Sequence, residues 1–316
     1  MTGRTMKAVR IHEYGGPDVL RYEDAPVPAI APDEVLIEVR CAGVNPVDRA
    51  IRQGLFKDKL RHTLPLVLGW DVAGVVVEAG SGANGFRIGD QVYSRPDIAR
   101  DGAYAEYIAV KAHDCARKPE RMAFAAAAGV PLAALTAWKA LFDEGGLKSG
   151  QTVLVHAASG GVGSFAVQLA KAFHCQVVAV TSTPNVEMVK ALGADRVVDY
   201  RKQDFAASVR DVDVVLDTLG GETQSKSWGV LRDGGTLVSV VSPPDQRAGA
   251  ERHATGKYAW VVPDGARLQL LAGMIDAGKL RTVIDTILPL AQAPAAHERS
   301  AGGRARGKII LAVKSD

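Results

Sequence analysis

The chain has 316 residues, with 38 Lys and Arg against 35 Asp and Glu and a formal net charge of +3. That near-neutral balance offers no electrostatic footprint for nucleic acid or an anionic membrane face, so neither partner is expected. The length suits two domains of ordinary size. Cys41, Cys115 and Cys175 are scattered and form no CxxC pair, which argues against a disulfide framework or a zinc cluster and favours a reducing, cytoplasmic compartment.

In chain order, the start Met6-Lys7-Ala8-Val9-Arg10 is strand-like and has no apolar h-region, so no signal peptide is expected. Short strands follow at 6–11, 34–42, 72–78, 91–93 and 104–110, punctuated by Gly and Pro clusters. They predict an antiparallel, partly closed β domain. Residues 122–138 carry no charge, yet their apolar character is mostly alanine, and Gly129, Pro131 and Thr136 interrupt it. A spanning helix needs roughly 20 strongly apolar residues, so this stretch predicts a buried helical linker.

Residues 150–171, GQTVLVHAASGGVGSFAVQLAK, change the texture. A short apolar run at 152–156 predicts a buried parallel strand, 158–163 a tight turn, and 162–172 a helix with apolar residues at Val162, Phe165, Ala166 and Leu169. A strand that ends in glycines and feeds a helix N-terminus makes an anion site of free amides and dipole. Strands at 176–180, 196–199, 212–217, 235–241 and 258–262 alternate with helices at 186–192 and 223–231. That alternation predicts a doubly wound parallel sheet, with ligands at the carboxyl ends of its strands. The candidates there are Ala158, Ser159, Gly160, Gly161 and Val162, then Thr181, Ser182, Thr183 and Asn185, then Leu219, Val240, Val241 and Ser242. A last strand at 308–313 has no helix after it and is expected to return to the first domain. The expected division is therefore 1–124, 125–262 and 263–316.

The order of segments resembles the medium-chain dehydrogenase/reductase superfamily over nearly the whole chain. It is most similar to the zinc-free quinone oxidoreductases, among them the zeta-crystallins and plant alkenal/enone reductases. The residues that carry the likeness are Gly43-Val44-Asn45-Pro46-Val47-Asp48, Gly69-Trp70-Asp71-Val72-Ala73-Gly74, Gly89-Asp90-Gln91-Val92-Tyr93 and Gly102-Ala103-Tyr104-Ala105-Glu106-Tyr107. The glycine segment and Leu192-Gly193-Ala194-Asp195 extend it. The resemblance implies an α/β chain with a GroES-like β domain and a Rossmann sheet, acting as a homodimer.

Related alcohol dehydrogenases hold a catalytic zinc with Cys, His and Cys. Asn45, Trp70 and Leu132 stand at those places, and Val47 replaces a proton-relaying hydroxyl. Tyr93 runs almost directly into Gly102, leaving no room for a four-cysteine lobe. No acid follows the second strand to repel a 2′-phosphate, and Thr181, Ser182, Thr183 and Asn185 can donate to one, so NADPH is the expected cofactor. By resemblance, Tyr200 lies by the adenosine phosphate. Asn45, Thr136 and the 240–242 loop face the nicotinamide, with Trp260 and Val262 close by, and Phe56, Trp70 and Tyr258 line the substrate pocket. No side-chain acid is evident, and Asn45 is the expected catalytic side chain. The expected activity is NADPH-dependent reduction of quinones or of the C=C bond of α,β-unsaturated carbonyls, without zinc. The alternatives are a zinc-type alcohol dehydrogenase, disfavoured by the missing ligands, and a catalytically idle NADPH-binding or structural protein.

Overall fold

The computed structural model describes residues 4–314. Eight strands come first: β1 (Thr5–Ile11), β2 (Leu20–Pro26), β3 (Glu34–Val44), β4 (Leu66–Val67), β5 (Val72–Ala79), β6 (Gln91–Ser94), β7 (Tyr107–Lys111) and β8 (Cys115–Arg117). Six more follow the glycine segment: β9 (Thr152–Val155), β10 (Gln176–Thr181), β11 (Arg196–Asp199), β12 (Val212–Asp217), β13 (Leu231–Ser239) and β14 (Thr255–Tyr258). The chain closes with β15 (Ile284–Pro289) and β16 (Lys308–Ala312). Two compact units result. One holds the chain through Leu132, then Val262–Gly278 and everything from Thr282; the other holds Ala133–Val261 and Lys279–Arg281.

In the first unit, β16 returns to pair antiparallel with β3, as its apolar run predicts. β3 also pairs with β5 and β7, β5 with β6, and β6 with β8, while β1 lies between β2 and β4. Alternating residues of these strands, among them Val35, Ile37, Val39 and Ile309, build the core. The strand expected at 104–110 starts only at Tyr107, because Tyr104 and Ala105 bond back to β1 instead. The boundary lies inside the helix Pro131–Trp138, and the Leu132 amide is tied to Asp71 of the first unit at 2.6 Å.

The second unit is a parallel sheet in the order β11-β10-β9-β12-β13-β14. Numbered from β9, that is the 3-2-1-4-5-6 order of a dinucleotide-binding sheet. The sixth strand is Thr255–Tyr258, not 258–262: it pairs with Thr236–Ser239 and so ends where β13 ends, which leaves Trp260 and Val262 beyond the sheet. The run Phe124–Glu144 is long and apolar enough to cross a membrane by composition, but 78% of its most apolar window is buried, as in a core helix.

Candidate active site

In the second unit the carboxyl ends of the strands carry the expected residues. β9 ends at Val155, Ala157 takes a left-handed φ of 43°, and the helix Gly161–Ala172 begins after an extended Gly160. The ladder of that helix starts with Ser164 N–H donating to Gly160 O (2.9 Å), so the amides of Gly161, Val162 and Gly163 have no acceptor within it. Gly163 is needed for a different reason. A Cβ there would lie 2.4 Å from Ala157 O and 2.7 Å from Ala158 Cα, so the helix packs onto the loop as closely as a backbone can. Together the two features form the cradle a pyrophosphate requires.

Around the cradle, Asn185 is already engaged. Its Nδ2 donates to Ser159 Oγ (3.1 Å) and Ser182 Oγ (3.2 Å), so it braces the glycine loop against the turn after β10 and is not the free phosphate donor expected from sequence. Thr181 is buried and its hydroxyl has no partner, while Ser182 and Thr183 lie in the turn itself. Asp199, directly beside Thr181 in the sheet, is an acid that inspection of the residues after β10 misses. Burial pushes its pKa up, but the Thr183 hydroxyl, the Arg201 amide (3.1 Å) and nearby Lys202 outweigh this and hold it low. Tyr200, Leu219, Val241 and Trp260 are all exposed just past β11, β12, β13 and β14, an apolar rim of the kind that receives flat rings. Two residues that sequence reading passed over shape it. Asp217 accepts the amides of Leu219 (2.9 Å) and Gly220 (2.8 Å), and Ser239 Oγ accepts those of Val241 (3.2 Å) and Ser242 (3.4 Å). Thr136 is buried in its helix, and Tyr258 is half-buried at the end of β14.

The first unit presents Asn45 where β3 ends and the helix Pro46–Arg52 begins. Asn is a favoured N-cap residue, and its side chain here also makes longer-range bonds. Nδ2 donates to Asp71 Oδ2 (2.9 Å), and Oδ1 accepts from Lys308 Nζ, which also pairs with Asp71 (2.9 Å). Asp48 Oδ2 accepts the Asn45 amide (2.8 Å) and the Tyr104 hydroxyl (2.8 Å). His297 continues the chain, with Nε2 3.3 Å from Tyr104 Oη and Nδ1 3.3 Å from Arg52 Nη1. A guanidinium only donates, so His297 Nδ1 accepts and the proton sits on Nε2, donating to the tyrosine oxygen. All seven residues are buried. Burial raises the Asp48 carboxyl to about 7, assisted by the charge of Asp71 and opposed by its two donors. Burial also drives His297 down to about 3, with Arg52 and Arg49 adding to the effect. Sequence reading found Asn45 and missed the rest. The signals were a Lys opening an apolar strand and the acids inside the two Gly-flanked motifs.

Trp70 is not a pocket wall: it is fully buried, and its indole N–H donates to Arg100 O (3.0 Å). The loop 94–102 folds over it, and His62 stacks on it at 6.0 Å. Phe56 is half-buried and packs against the same core, as does Val47.

Residues 31–120 match the alcohol dehydrogenase GroES-like domain family, and residues 192–311 match the zinc-binding dehydrogenase family. The 2-methylene-furan-3-one reductase of Solanum lycopersicum is 39% identical over 97% of this chain and 79% of its own. The chain belongs to the medium-chain dehydrogenase/reductase superfamily, in its quinone oxidoreductase and enone reductase branch. Among solved structures of this superfamily, the quinone oxidoreductase from Coxiella burnetii superposes with a TM-score of 0.92 at 34% identity, over 98% of this chain and 100% of its own. A mycobacterial protein solved with NADPH superposes at 0.88 with 31% identity, over 98% and 100%.

Zinc, which one of the matched families is named for, does not fit this member of the superfamily. The Asn45 oxygen, its one candidate ligand atom, already accepts from Lys308, Trp70 offers only an indole N–H already donated, and the Leu132 side chain has no ligand atom. None can supply a thiolate or imidazole. Among the described residues, no group of three or more His, Cys, Asp or Glu is placed to hold a metal ion.

Proposed function

We propose that the protein is an NADPH-dependent reductase of quinones and of the C=C bond of α,β-unsaturated carbonyls, acting without zinc. Bound NADPH supplies a hydride. Hydride added to the β-carbon pushes the C=C pair toward the carbonyl, and the resulting enolate takes a proton at the α-carbon from solvent. The chain then has three tasks: hold the dinucleotide, keep the reacting carbons dry, and offer a donor where charge develops.

The observation that carries the reading is the state of Asn45. Its carboxamide is fixed by two buried charges, and one Nδ2 hydrogen remains after the bond to Asp71. One neutral donor suits an enolate, whose charge is delocalised. Building an alkoxide from an isolated ketone usually needs a metal or a proton relay, and the residues at the zinc and relay places supply neither. The tomato relative supports the same choice, since its name describes a methylene conjugated with a ring ketone. The rim of Tyr200, Leu219, Val241 and Trp260, with the cradle at Ser159–Val162, supports a dinucleotide, and Ser182, in the turn after β10, and the exposed Tyr200 are the side chains assigned to its 2′-phosphate. This reading carries with it a homodimer in a reducing compartment, the latter supported by three buried thiols that form no disulfide.

The test is the position of label. A simple enone reduced with 4-deuterated NADPH is expected to carry deuterium at the β-carbon with its carbonyl intact. Deuterium on the carbinol carbon of an allylic alcohol would refute the reaction. Asn45→Ala is expected to lower turnover by about 10- to 100-fold, short of the ~10²–10³ of a dedicated oxyanion donor.

A further inference from the structure

Two strand registers converge on Asn45. The pair Ile309–Val44 sets Lys308, the first residue of β16, beside Asn45, and the pair Ala42–Val72 sets Asp71 on the opposite flank, where Gly43 N–H donates to Asp71 O (3.0 Å). Lys308 and Asp71 are both buried, so each has lost its water. A desolvated ion pair is weak evidence for stability, since apolar side chains of similar volume often serve as well. The strand does not need it as an anchor either: Ile309, Ile310 and Leu311 are buried and hold β16 by themselves.

The effect of the pair on the carboxamide is specific. An ammonium can only donate, so Lys308 fixes which Asn45 atom is the oxygen, and Asp71 takes one of the two Nδ2 hydrogens. A cation on Oδ1 draws electron density from the amide and strengthens its remaining N–H as a donor. We propose that Lys308 is a positioning residue that acts through Asn45, setting the strength and direction of the single N–H offered to the carbonyl oxygen of the enone or quinone. This rests on the reading of Asn45 as that donor.

A double-mutant cycle on the full chain separates the two ideas. Turnover, KM for 3-penten-2-one and Kd for NADPH are measured in Asn45→Ala, Lys308→Met and the double variant. Lys308→Met is expected to lower kcat about tenfold, because a charge-assisted donor is roughly twice as strong as a neutral one. NADPH affinity should stay unchanged, Lys308→Arg should keep most of the rate, and adding Lys308→Met to Asn45→Ala should cost nothing further. Losses that multiply in the double variant, with Asn45→Ala itself slow, would overturn the role of Lys308 and leave that of Asn45 standing. Wild-type turnover in Asn45→Ala would overturn both. Should Lys308→Met not fold, the neutral pair Asp71→Asn with Lys308→Met carries the same expectation. A readout independent of turnover is the Asn45 side-chain amide in 15N-labelled, unliganded protein. Its free N–H proton should move upfield in either Lys308→Met form, and an unchanged shift would also refute the proposal.

Discussion

Lowering the pH from about 7 to about 5 should destabilise the protein through its buried histidines, against an opposing gain from Asp48. His297 falls to about 3 and His156 to about 4 in the folded chain, in both cases chiefly through burial. His156 Nε2 lies 2.8 Å from Ser227 Oγ, whose own hydrogen goes to Thr223 O, so Nδ1 is the bare nitrogen, and it is buried without a partner. Below about 6.5 the unfolded chain binds two protons that the native state refuses. Their stabilising contribution is therefore full above 6.5 and lost on acidification, about 2 kcal/mol each by pH 5 at ~1.36 kcal/mol per unit. Asp48 has the opposite sign. Its folded pKa of about 7 exceeds the unfolded 3.8, so its contribution is lost as pH rises through 7 and about 2 kcal/mol returns on going down to 5, since the group is already half protonated at pH 7. The net is a loss of about 1–2 kcal/mol. Replacing one histidine removes most of that loss: His297→Gln should be about as stable at pH 5 as at pH 7, while Asp48→Asn should lose about 4 kcal/mol over the same range. Urea unfolding at the two pH values and fixed ionic strength measures this, with imidazole NMR as a direct check. An imidazole of either residue titrating near 6.5 in the folded protein, or an acid loss unaltered in His297→Gln, would refute the reasoning.

NADPH is expected to bind at least tenfold more tightly than NADH, about 1.4 kcal/mol. Ser182→Asp should erode or reverse that preference, since Ser182 lies in the turn that Asn185 braces, and equal Kd values for the two cofactors in the unmodified protein would count against it. Gly161→Val should abolish dinucleotide binding, read by fluorescence quenching, while leaving the first unit folded. Gly163→Val should instead perturb the second unit itself, because its Cβ would meet the Ala157 backbone; normal cofactor affinity in the Gly161 variant would mean the loop is not the cradle.

The second unit was legible in the sequence because its signals are local. A buried parallel strand is an uninterrupted apolar run, and the turn that follows needs glycine for steric reasons, so β11 and β12 stand where the pattern put them and β9 ends one residue short of it. Misjudged boundaries are those set by a neighbour. β14 ends at Tyr258 because β13 ends at Ser239, and Trp70 is core because a loop about thirty residues later closes over it. The charged surroundings of Asn45 were beyond any local reading. Lys308 lies 263 positions away in sequence and Asp71 lies 26, and the register of three strands, a property of tertiary packing, brings them to one carboxamide. Sequence determined which residue types were present and that Asn45, Trp70 and Leu132 stand where related dehydrogenases hold zinc. Tertiary structure alone decided that burial strips Asp48, Asp71, Lys308 and His297 of water, and so which of them must pair, shift or hold a neighbour in place.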